Sequence, residues 1–224
     1  MSKYRICPSI LNADLANLDH EISRIANESD LLHLDIMDNI FVPNKTFDFP
    51  ESERIIVTSP IPVDVHLMIA DPDQSAAAYA RAGAASVTFH FEAAHEVGST
   101  AEAIKSAGAR VGLAIKPGTP FSAVADFLPI VDMLLIMTVE PGFGGQAFMA
   151  DMMPKVSEAR HAIDQIPAPD TWLQVDGGVT LETILKAAEA GADTFVAGSA
   201  VFRSPEPAAM IVEMKNLLNR GRLL

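Results

Sequence analysis

The sequence has a single cysteine, Cys7, in 224 residues, so it has neither a disulfide within the chain nor a cysteine cluster for zinc. Thiol redox chemistry is therefore not expected, and Cys7 reads as a small buried hydrophobe. Basic residues are scarce: 16 Lys and Arg against 29 Asp and Glu give a formal net charge of −13. That charge repels nucleic acid and anionic membrane, so any anionic ligand must be held locally. There is no apolar run long enough to span a bilayer, although 49% of the residues are hydrophobic. The stretch Met1 to Arg5 shows no signal-peptide apolar region, so a cytoplasmic protein is expected, with small molecules rather than nucleic acid or membrane as partners. No linker or low-complexity tract divides the chain, and one domain over residues 1–224 is expected.

What is present is a repeat. Eight β-rich runs recur, at Arg5–Leu11, Leu31–Met37, Val63–Met68, Ser86–Phe91, Arg110–Ile115, Met133–Val139, Trp172–Asp176 and Thr194–Ala197. Helical patterns lie between them; Leu15, Leu18, Ile22 and Ile25 share one stripe, and Leu181, Ile184, Leu185 and Ala188 another. Asp71-Pro72, Thr119-Pro120 and Ser204-Pro205 read as helix starts. Ala82-Gly83-Ala84, Ala107-Gly108-Ala109 and Ala190-Gly191-Ala192 read as stops leading into strands. Strict alternation predicts an α/β protein with a parallel sheet, and eight units in this length predict a single-domain (β/α)8 TIM barrel, an open doubly wound sheet being the alternative.

In such a barrel, chemistry gathers where strands end. His33, Asp35 and Met37 fall two apart along the second strand and so share one face, where burying a carboxylate beside an imidazole is costly without a compensating partner. The other strand ends add Ser9, Asp38, Asp64, His66, His90, Glu92, Lys116 and Asp176. Taken singly, His66 would read as a core imidazole and Asp176 as a turn residue before Gly177-Gly178. Together, histidines and carboxylates from several strand ends make a nitrogen and oxygen donor set suited to one divalent metal ion such as zinc, iron or manganese. Met37, Met68 and Met137 lie beside them, either as gap fillers or as a wall that excludes water without donating protons.

Glycine-rich ends follow on the last three strands: Pro141-Gly142-Phe143-Gly144-Gly145-Gln146, Asp176-Gly177-Gly178 and Ala197-Gly198-Ser199. Each alone would read as a tight turn, but three adjacent strand ends favour a phosphate cradled by backbone N–H groups and the helix starts after them. No lysine or arginine lies within these motifs, so backbone binding is expected.

His33 through Asp38 continuing to Phe41-Val42-Pro43-Asn44, then Val65-His66-Leu67-Met68, Met137 through Phe148 and Val175-Asp176-Gly177-Gly178, resemble the ribulose-phosphate 3-epimerase family. The resemblance runs from Pro8 to Ser199. It implies a metal-dependent barrel enzyme, usually with zinc, iron or manganese, that interconverts D-ribulose 5-phosphate and D-xylulose 5-phosphate in the pentose phosphate pathway and forms homo-oligomers. By motif position it implies His33, Asp35, His66 and Asp176 as metal ligands, with Asp35 and Asp176 also the acid/base pair. Substrate would contact Ser9, His66, Met37, Met68, Met137, Gly142 and Phe143, with its phosphate on Gly144, Gly145, Gly177, Gly178, Gly198 and Ser199.

The resemblance has departures. Asn39 stands where the family commonly has glycine, a change eased by asparagine's tolerance of left-handed angles. Lys45-Thr46-Phe47-Asp48-Phe49-Pro50 replaces the usual turn, and if Lys45 or Asp48 faced the pocket a hexulose-phosphate 3-epimerase would become the close alternative. A barrel decarboxylase needs Asp-x-Lys-x-x-Asp, but Met37 and Ile40 occupy the last two of those positions after Asp35. A non-catalytic barrel binding a sugar phosphate would not need two carboxylates at the site.

Overall fold

The computed structural model describes residues 4–167 and 170–221. Within them, eight parallel strands run β1 (Arg5–Cys7), β2 (Leu32–Met37), β3 (Val63–Met68), β4 (Ser86–His90), β5 (Arg110–Ile115), β6 (Met133–Met137), β7 (Trp172–Asp176) and β8 (Thr194–Val196). From β2 to β8 each strand pairs with its sequence neighbour, and β1 pairs with β8, which leaves a gap between β1 and β2. The remaining gap is closed by a parallel bridge between Ser9 and His33, where the His33 N–H donates to the Pro8 carbonyl at 2.9 Å. The result is the expected (β/α)8 barrel.

Period-two alternation sorts the strand residues into two layers. Leu32, Leu34 and Ile36 of β2, Val63, Val65 and Leu67 of β3, and their counterparts on the other strands are buried in one continuous apolar cluster with helix residues such as Ile22, Ile55, Ala80, Ile104, Val156 and Ile211. Residues of the opposite parity point into the barrel, which places His33, Asp35, Asp64, His66 and Gln174 inside it, all buried.

The helices follow the strands as α1 (Leu18–Ile25), α2 (Phe49–Thr58), α3 (Pro72–Arg81), α4 (Val97–Ser106), α5 (Met153–Asp164), α6 (Ile184–Glu189), the single turn α7 (Ser199–Phe202) and α8 (Pro207–Arg220). The three alanine-glycine stops are where α3, α4 and α6 end; Gly83 there has φ of +105°, a left-handed conformation that glycine adopts without strain.

Several sequence expectations differ in detail. β1 stops at Cys7 rather than Leu11, because Ser9 caps a 3-10 turn over Ile10–Asn12 by accepting from the Leu11 N–H. Leu15 belongs to a separate 3-10 turn and is exposed, so the α1 stripe begins at Leu18. Of the three starts, Asp71-Pro72 opens α3, whereas Ser204-Pro205 precedes α8 by two residues. Thr119-Pro120 leads only into short 3-10 segments, one of which contains Pro129, and proline there cannot supply an α-helical N–H.

Candidate active site

The inner ends of β2, β3 and β7 bring four groups together. His33 Nε2 lies 3.4 Å from Asp35 Oδ1 and 3.9 Å from Asp176 Oδ2. His66 Nδ1 lies 3.2 Å from the same Asp35 oxygen and 3.6 Å from Asp176 Oδ2, and the two ring nitrogens are 3.4 Å apart. One donor atom from each of the four residues falls within 4.8 Å of all the others. Two ligands about 2.05 Å from a shared four-coordinate ion stand roughly 3.3 Å apart, so these separations match a divalent metal site. The mixed nitrogen and oxygen set leaves zinc, iron and manganese open.

Electrostatics point the same way. Burial opposes ionisation of Asp35, but the His33 and His66 rings beside it overcome that and hold its carboxyl far below the usual range. Asp176 is pushed up to about 6, first by burial and then by the Asp35 carboxylate. His33 is buried, which disfavours charge, yet Asp35 and Asp64 raise it well above an ordinary histidine. Two adjacent carboxylates with no lysine or arginine in the pocket wall among the described residues form a centre that a cation would complete.

A pocket opens above the four groups. Its wall contains Ser9, Asp35, Met37, Met68, Met137, Gly142, Phe143, Gly144, Gly145, Asp176, Gly177, Gly178, Gly198 and Ser199. The sequence-derived contact set is therefore gathered at one cavity, except that His33 and His66 lie wholly buried beneath the two carboxylates. The Ser9 hydroxyl donates to Asp35 Oδ2 at 2.5 Å, so it orients a carboxylate as well as lining the wall. Asp38 is withdrawn from the site: its oxygens accept the N–H groups of Ile40, Phe41 and Ala70 and shape the following loop. His90 sits behind His66, Nε2 to Nε2 at 3.0 Å, and its other nitrogen is 3.3 Å from Glu92.

The glycine-rich ends line the pocket for more than one reason. Gly178 has φ of +67° and lies against the Phe148 backbone, leaving no room for a side chain. Gly144 and Gly198 carry no side chain where the Asn12 side chain fills the space; a Cβ on Gly144 would sit 2.5 Å from Asn12 Nδ2. Of the expected helix starts only one lies directly beyond its glycine, α7 at Ser199 after Gly198, and it is four residues long; α5 begins at Met153 and α6 at Ile184, farther along the chain. Asn12 is a pocket residue with no sequence signal, because the pattern Arg5–Leu11 reads as one strand and only the 3-10 turn carries Asn12 over the same opening. Lys45 is exposed, and Asp48 caps α2 by accepting from the Glu51 N–H; neither faces the pocket. Asn39 adopts φ of +60°, the left-handed angle expected of it.

Residues 5–202 match the ribulose-phosphate 3 epimerase family. The chain is 47% identical over 210 residues to a ribulose-phosphate 3-epimerase of Mycobacterium leprae (strain TN), covering 94% of this chain and 93% of the relative. It is 41% identical to one of Escherichia coli (strain K12), covering 97% of each. Among solved structures, 3-hexulose-6-phosphate synthase from Salmonella typhimurium superposes with a TM-score of 0.70 at 18% identity, over 97% of this chain and 99% of that one. N-(5'-phosphoribosyl)anthranilate isomerase from Pyrococcus furiosus gives 0.63 at 16%, with the same coverage. At such identities these two likenesses speak for the barrel alone.

Proposed function

The chain belongs to the ribulose-phosphate 3-epimerase family and is an epimerase, and we propose that it inverts carbon 3 of D-ribulose 5-phosphate by proton transfer between Asp35 and Asp176. The observation that carries this reading is that these two carboxylates, from strands that are not neighbours, line one pocket and share the same two histidines. Inversion beside a carbonyl takes a proton from one face and returns one to the other, so it needs an acid/base group on each side. Burial and the neighbouring groups divide the pair: the histidines hold Asp35 ionised, and Asp176 takes up a proton more readily.

His33, Asp35, His66 and Asp176 would hold the divalent ion. When bound, that ion supplies Lewis-acid stabilisation of the negative charge that develops on the enediolate oxygens. Ser9 fixes Asp35 through its second oxygen, leaving Oδ1 toward the histidines. Met37, Met68 and Met137 wall the reacting carbon with groups that cannot donate protons, which keeps the exchange between the carboxylates. The phosphate end would rest on Gly144, Gly145, Gly177, Gly178, Gly198 and Ser199, with the Asn12 amide beside it. The positions of Lys45 and Asp48 outside the pocket favour the pentulose phosphate over a hexulose phosphate, and a pentose phosphate pathway role is consistent with the family.

The test is incubation of metal-loaded protein with ribulose 5-phosphate in deuterated water. Deuterium at carbon 3 and formation of xylulose 5-phosphate are expected. Absence of exchange in fully metallated protein would overturn the reading.

A further inference from the structure

We propose that Asp64 is a positioning residue for the metal: its carboxylate fixes the proton of His33 on Nδ1 and so turns the Nε2 lone pair toward the ion. The proposal rests on the reading of His33, Asp35, His66 and Asp176 as the metal-holding set. The His33 ring is completely buried, and its two nitrogens face opposite surroundings. Nδ1 is 2.8 Å from Asp64 Oδ2, whereas Nε2 points into the cluster, 3.4 Å from both Asp35 Oδ1 and His66 Nδ1. An ionised carboxylate only accepts hydrogen bonds, so the 2.8 Å contact requires the proton on Nδ1. In the neutral ring the remaining lone pair is then on Nε2, the atom at the cluster.

Asp64 is itself held rigidly. Ser86 Oγ donates to its Oδ1 at 2.6 Å, and Gln174 Nε2 donates to its Oδ2 at 2.9 Å. β2, β3, β4 and β7 thus each place one residue in a buried network whose last member is a proposed metal ligand. Turning the His33 ring over would break the bond to Asp64 and leave a buried carboxylate oxygen short of a donor, a costly state in the barrel interior. A carboxylate behind a ligating histidine also raises the basicity of the ring, which strengthens its bond to a metal. A purely structural network would account for burial and hydrogen bonding, but it would not require the affinity for metal to follow Asp64.

The test has two arms, both on the full chain. In zinc-loaded protein labelled with nitrogen-15 at histidine, long-range proton–nitrogen correlation spectra are expected to show His33 bound through Nε2 with a protonated Nδ1. Binding through Nδ1 would overturn the proposal. In the second arm, competition with a chelator at fixed pH measures zinc and manganese affinity of the wild type, Asp64→Asn and Asp64→Ala, with folding checked by circular dichroism. Removal of a carboxylate in this position costs ten- to a hundredfold in affinity, with Asp64→Asn expected near the lower figure because its amide oxygen still accepts. Unchanged affinity in folded variants would overturn it, and if Asp64→Ala does not fold, Asp64→Asn and the wild-type spectrum decide. A wild type that binds neither metal overturns the metal reading itself, whereas a wild type that binds both as tightly as its variants overturns only the role of Asp64.

Discussion

On the outward face of β2, Leu32, Leu34 and Ile36 meet the helices, while on the inward face of the same strand His33, Asp35 and Met37 look into the barrel. β3 repeats the contrast with Val63, Val65 and Leu67 outside and Asp64, His66 and Met68 inside. The outer layer is a conventional core, whose burial stabilises at roughly 25 cal/mol per Å² of apolar surface. The inner layer is filled by branched aliphatics in many barrels, but here it contains Asp64, Ser86, Thr88, His90 and Gln174, all buried. Burying these polar groups costs free energy that hydrogen bonds offset only in part, and Thr88 Oγ1 and Gln174 Oε1 have no partner among the described residues. The two faces of one strand therefore answer different demands, stability outside and chemistry inside.

Substitutions that touch one layer at a time should break the contrast if it is false. The largest effect is expected from Asp176→Asn, which should lower turnover by 10³-fold or more, given that acid/base catalysis commonly supplies about 10²–10⁴. The melting temperature should stay within a few degrees of the wild type, and wild-type turnover in the variant would sink the acid/base reading. Next comes Phe195→Ala in the outer layer, a fully buried ring expected to cost about 3–5 kcal/mol in denaturant unfolding. Its folded fraction should keep near-normal turnover, and a selective loss of turnover at full stability would contradict the separation of layers. Ser9→Ala removes the hydroxyl that donates to Asp35 Oδ2. We expect about a ten- to hundredfold fall in turnover with little change in stability, on the scale of one hydrogen bond to a charged group, about 1.5–3 kcal/mol.

The smallest effect is a pH dependence in metal-free protein. Asp176 is raised to about 6 from an ordinary 3.8, so between those values the folded state binds more protons than the unfolded one. Stability contributed by this residue therefore falls as pH rises through that window and stays low above it. His90, lowered to about 4 from 6.5 chiefly by burial, acts in the opposite direction over an overlapping range. The difference between wild type and Asp176→Asn isolates the first contribution. The variant's advantage in unfolding free energy should grow from pH 4 to pH 6, and a constant difference would refute the electrostatic account. Metal binding should erase the difference by favouring the wild type.

Much of this arrangement is legible in the chain. Period two along His33, Asp35 and Met37 assigns all three to one face, and the same rule places Asp64 with His66. Asp64 nevertheless reads only as another polar strand-end residue, because its partner Gln174 lies 110 positions away. Lys45 and Asp48 look capable of altering the pocket, yet Asp48 is taken up by the cap of α2. Asn12 carries no sequence signal, since its place beside Gly144 and Gly198 depends on a turn that begins as soon as β1 ends.

Periodicity and strand-end motifs are local properties of the chain, so the repeat, the barrel and a cluster of histidines and carboxylates at the strand ends are readable there, and the resemblance carried by the longer motifs adds the family and the four groups of the candidate metal site. Which nitrogen of His33 faces the cluster, which side chain fills the space over the glycines, and which charges are withdrawn from the pocket emerge from the folded molecule alone. Those outcomes depend on contacts within about 4 Å between residues far apart in the chain, and hydrogen-bond direction and steric exclusion act only at that range.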